Sequence, residues 1–113
     1  MSSTQSVQER YKLIFFVPAL DLEKVRSSIF ATGAGTVGDY TEVCFSTPGV
    51  GRFKPAAGAK PLVGEAGKVQ EVGEVRCEIQ CHGKDQAKQA VEALKSTHPY
   101  EEAVYEVYKI ENF

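Results

Sequence analysis

The chain reads as an α+β domain of the ferredoxin-like class, built in the order βαββαβ. Three observations carry that reading. The apolar pattern alternates between strand-like and helix-like periods along the 113 residues. The length fits one domain. Two consecutive split βαβ units close into a four-stranded antiparallel sheet with both helices on one face.

Tyr11–Pro18 predicts the first strand. Aromatic and branched residues dominate it, and Pro18 closes it. Leu13, Phe15 and Val17 fall on one face, Ile14 and Phe16 on the other. A strand apolar on both faces belongs in the centre of a sheet covered on both sides. Asp21–Thr32 predicts a helix, with Leu22, Val25, Ile29 and Phe30 at helical spacing. Asp21 is placed to cap its free amides, and Gly33 to end it.

A second, weaker strand is expected over Thr36–Thr47. Pro48–Lys68 follows, with three of the five prolines and five of the ten glycines. It carries Arg52, Lys54, Lys60 and Lys68 against Glu65, a local charge of +3 that leaves −5 elsewhere. This segment is expected to be a short strand around Arg52–Lys54, or a short hairpin, followed by a long loop. Val69–Cys81 predicts the third strand. Val75, Cys77, Ile79 and Cys81 alternate there with Glu74, Arg76, Glu78 and Gln80. Asp85–Thr97 predicts the second helix, ended by Pro99. Glu102–Ile110 predicts the last strand. Residues 1–10 read as a flexible polar tail before a single domain over 11–113.

Composition excludes several classes. Hydrophobic residues make up 42% and charged residues 25%, which is incompatible with a disordered chain. The longest run free of polar side chains, Leu13–Leu20, is far short of the ~20 residues of a membrane span. A net charge of −2 argues against a nucleic-acid binder. Three cysteines, an odd number without a secretory leader, predict free thiols in the cytoplasm. The helices can cover only one face of the sheet, so the apolar second face predicts self-association.

Four groups of residues could carry chemistry. Gly33–Gly38 spells G-x-G-x-x-G, but a helix precedes it and a strand follows. That is the reverse of a dinucleotide site, and no cofactor is expected. Cys77 and Cys81 stand four residues apart on a strand, ~13 Å, too far to share one ion. Cys81 with His82 remains a candidate metal pair at a subunit junction. His98-Pro-Tyr-Glu-Glu102 concentrates His98, Tyr100, Glu101 and Glu102, candidates for binding and, as an alternative, for acid–base work. No nucleophile accompanies them, so no catalytic residue is assigned. In the long loop, Arg52, Lys54 and Lys60 are candidate contacts for a small anionic ligand.

The runs Gly49–Pro55, Lys60–Glu65, Val72–Glu78 and His98–Glu102 resemble the insert domain of the Ngg-interacting-factor-like proteins. These are also called the dinuclear-metal-centre or GTP-cyclohydrolase-type-two-like family. The resemblance covers about Tyr11–Ile110. It implies a fold similar to CutA and the PII signalling proteins, which form trimers. It implies the insert alone, without the family's metal-binding halves, so no metal ligand carries over. The expectation is therefore a non-catalytic binding or regulatory domain. It forms a homo-oligomer, a trimer before a dimer, and binds a small anion or a larger partner protein. The alternatives are a metal-binding or metal-tolerance protein and a small enzyme built on His98, Glu101 and Glu102.

Overall fold

The computed structural model describes residues 8–113. Strand β1 (Arg10–Val17) leads through a 3-10 turn (Ala19–Asp21) into helix α1 (Leu22–Phe30). Strands β2 (Phe45–Phe53) and β3 (Gln70–His82) follow, then helix α2 (Gly83–Thr97) and strand β4 (Tyr105–Ile110). The sheet order is β2-β3-β1-β4, all neighbours antiparallel. The expected ferredoxin-like arrangement is what forms, with β1 and β3 in the centre. Most of the polar tail lies outside the described residues, and Arg10 already belongs to β1.

One face of the sheet builds the core. Leu13, Phe15 and Val17 of β1 and Cys77, Ile79 and Cys81 of β3 are wholly or almost wholly buried. They pack with Val25 and Ile29 of α1 and Ala87, Ala90 and Leu94 of α2. The strand residues share one phase, since neighbours along a strand point to opposite faces. The opposite face is mixed rather than apolar. Ile14, flanked by Glu78 and Glu106 in the ladder, is buried among the sheet's own side chains. Lys12 pairs with Glu78 at 3.3 Å, and Arg76 with Glu78 at 3.1 Å while lying over the Phe16 ring. Phe45 and Tyr108 remain exposed.

Several boundaries differ from expectation. β2 begins at Phe45, nine residues later than the Thr36 predicted, and runs through Pro48, Gly49 and Gly51 to Phe53. Thr36–Cys44 is instead irregular. Gly35 donates its amide to Gln80 O and accepts from the Val43 amide, both at 2.8 Å. Glu42 adopts a positive φ of 56°. Pairing along Gln70–Glu78 overrides the poor strand propensity of the Pro-Gly run. Proline is tolerated because β2 is an edge strand. The long loop therefore starts only at Lys54, and it is turned by backbone bonds such as Gly67 N–H to Pro55 O at 2.6 Å. Asp21 occupies the N-cap of α1 but makes no capping side-chain bond. β4 starts at Tyr105, three residues later than expected.

Gly35 is the position where this linker depends on glycine. Its φ is +85°, and an added Cβ would lie 2.8 Å from the Phe30 ring and 3.1 Å from Val43 O. Gly35→Ala is expected to destabilise the fold by about 1–3 kcal/mol through backbone strain, before any displacement of Phe30. Thermal unfolding of the purified variant checks this, and an unchanged midpoint would refute it.

The candidate functional site

His98 looks like the reactive group of the His98–Glu102 run, yet the fold employs it as a strap. It is buried at the end of α2. Its Nδ1 accepts the Tyr100 amide at 3.1 Å, so its proton sits on Nε2, which donates to Phe16 O at 2.7 Å. Both ring nitrogens are thus engaged by backbone, and the imidazole fastens the α2–β4 connection to the end of β1. Phe16 N–H closes the same junction by donating to Val104 O at 3.2 Å.

That strap positions one wall of a cleft of about 710 Å³. The opposite wall is β2 with the start of the long loop. Phe16, Phe53, Pro61, Leu62, Val63 and Tyr100 give it a mainly apolar lining. Arg52, Lys54, Glu101 and Glu102 join from the predicted set, together with Glu74 and Arg76 of β3. The Phe53 and Tyr100 rings stand 6.4 Å apart in a tilted arrangement. The Tyr100 hydroxyl is buried and has no hydrogen-bond partner among the described residues. Burial pushes its pKa up, and burial likewise raises the Glu74 carboxyl. A buried hydroxyl without a partner is costly, so it favours any ligand that offers one.

The predicted residues therefore divide. Arg52, Lys54, Tyr100, Glu101 and Glu102 come together, and His98 supports them from behind. Lys60 is exposed and does not line the cleft. Phe16, Phe53, Glu74, Arg76 and Leu62 were not predicted. The apolar triplet Pro61-Leu-Val63 inside a Gly- and Lys-rich loop was the available signal.

Cys81 and His82 are not brought together. Cys81 lies in the core between sheet and helices, where burial pushes its thiol up to about 11. His82, the next residue on the strand, faces the other way, its Nε2 2.9 Å from Thr36 O. No group of three His, Cys, Asp or Glu side chains suited to a metal occurs among the described residues. No helix among the described residues is long and apolar enough to cross a membrane.

No protein-family model matches the chain. A GTP cyclohydrolase 1 type 2 homolog of Bacillus subtilis is 42% identical over 100 residues, covering 88% of this chain and 26% of that protein. The crystal structure of a Bacillus cereus protein related to NIF3 superimposes with a TM-score of 0.82 at 33% identity. It covers 96% of this chain and 27% of the other. CutA from Archaeoglobus fulgidus, a periplasmic divalent cation tolerance protein, gives a TM-score of 0.66 at 13% identity, covering 92% of this chain and 86% of its own. The GlnK–ATP complex of B. subtilis gives 0.60 at 14%, covering 91% and 84%. At such identities the last two show the fold alone. The chain spans about a quarter of the length of the curated relatives it matches. By sequence and fold together, this chain resembles one segment of the NIF3-related GTP cyclohydrolase 1 type 2 homologs, and that segment has the ferredoxin-like fold of CutA and GlnK.

Proposed function

We propose that the chain is a non-catalytic, self-associating binding or regulatory domain of the CutA/PII type. Its ligand combines an apolar body with an anionic group, and it works in the reducing environment of the cytoplasm. The observation that carries the reading is the cleft, where an apolar lining meets Arg52, Lys54 and the unpartnered Tyr100 hydroxyl. Glu74, Glu101 and Glu102 balance the cations there, which argues against a site for a bare polyanion. The engagement of both His98 nitrogens by backbone supports a binding role over an acid–base one. The mixed sheet face with exposed Phe45 and Tyr108, and the two free edges β2 and β4, support assembly with copies of itself. The likeness to CutA and GlnK in fold favours a trimer over a dimer.

The probe is an aromatic sulfonate, 8-anilinonaphthalene-1-sulfonate, titrated by fluorescence. Arg52→Ala is expected to weaken its binding by about tenfold, the worth of one charged hydrogen bond. Equal affinity in the variant would remove Arg52 from the site. Native mass spectrometry of the unliganded protein tests assembly separately, and a monomer at micromolar concentration would overturn it.

A further inference from the structure

The three thiols are not equivalent partners for one another. Cys77 and Cys81 lie on one strand, four residues and ~13 Å apart, beyond the reach of a disulfide. Cys44 is different. It immediately precedes β2, and Ser46, two residues on, stands opposite Cys77 in the ladder. Diagonal positions on one face of a sheet stand ~7–8 Å apart with their Cβ atoms closer, so a small backbone shift at Cys44, just outside the strand, brings the two sulfurs within bonding range. Cys44 is half-buried and packs against the core cluster that contains Cys77. The two thiols are near enough to act on each other electrostatically, and so are Cys44 and the Arg26 guanidinium of α1. Arg26 is also bound to Glu23, 2.6 Å away on the same helix.

We propose that Cys44 and Cys77 form an oxidisable dithiol, a modification site whose substrate is a hydroperoxide. Cys44, the accessible member beside a cation, reacts first. Its sulfur attacks one peroxide oxygen and the O–O bond breaks. The products are a sulfenic acid at Cys44 and, after protonation, one water or alcohol. The Cys77 sulfur then attacks Sγ of Cys44, the S–OH bond breaks, and the Cys77 proton leaves with the hydroxyl as water. Both sulfurs are oxidised and the peroxide supplies the two-electron balance. Cys77 has no exposed surface, and burial with the neighbouring Cys44 pushes its thiol up to about 12. The second step is therefore the slow one. The bond would close a ring around residues 45–76, which hold β2, the long loop and much of the cleft lining.

The test treats the reduced, folded protein with hydrogen peroxide, followed by denaturation, alkylation and digestion without reductant. The expected result is the Cys44 and Cys77 peptides joined at a mass about 2 Da below the sum of the two reduced peptides, with Cys81 alkylated. In a Cys77→Ser variant, dimedone should label Cys44, trapping the sulfenic acid. A Cys77 that stays fully alkylatable would overturn the proposal. So would a bond to Cys81, or a Cys44–Cys44 link between chains on a non-reducing gel.

Discussion

Replacing Phe15 by alanine is expected to cost about 3–5 kcal/mol of folding free energy, the usual loss for a large buried ring in a close-packed core. Phe15 is wholly buried in the central strand, opposite Cys77 on one side and Tyr105 on the other. The ring therefore touches the layer that joins three strands to the helices. Domains of this size are stable by only about 5–15 kcal/mol, so the variant sits near the edge of folding. Urea titration reads the effect as a fall in midpoint at unchanged slope. Phe15→Leu, which keeps most of the volume, should lose less than about 1.5 kcal/mol. A loss below about 1 kcal/mol for the alanine variant would mean that this layer can collapse around the hole.

The second large effect is alkaline. Cys77 and Cys81 are fully buried, and burial raises their thiols from 9.0 to about 12 and about 11. Above pH 9 the unfolded chain releases these protons while the folded chain keeps them. The unfolded state then binds fewer protons, so stability falls as pH rises. Below pH 9 both states hold the protons and the contribution is constant. Each group shifts stability by about 1.4 kcal/mol per pH unit across its window, so the two together lower it by several kcal/mol by pH 11. Urea midpoints measured from pH 8 to pH 11 should show that decline. Cys81→Ala should make that slope shallower, whatever it does to stability at pH 8. An unchanged slope in that variant would show that other groups govern the base limb.

The parts of the fold written in periodicity were legible. β1 follows from its aromatic and branched run on both faces, and β3, α1 and α2 from alternation and helical spacing. β2 was not, since Pro48, Gly49 and Gly51 carry no strand signal and only pairing with β3 makes them extended. The cleft was half legible. Its charges, Arg52 and Lys54, stood out in the long loop, and so did the His98–Glu102 run. Their meeting depends on the His98 strap to Phe16 O, a contact across 82 residues that no local pattern announces. The same contact shows why residue type alone did not place His98: its two nitrogens are taken up by backbone rather than presented to the cleft.

The burial of β3 changes abruptly along its length. Cys77, Ile79 and Cys81 are buried, whereas nothing from Gln70 to Arg76 is, and none of β2 is. The distal β2–β3 hairpin, with few buried side chains, is therefore expected to open locally before the helix-covered centre does. Its amides answer to that local equilibrium, and those of Leu13–Val17 to global unfolding. A ligand in the cleft would tie the hairpin to the α2–β4 connection, so occupancy would register as slowed hydrogen exchange in the least protected part of the sheet.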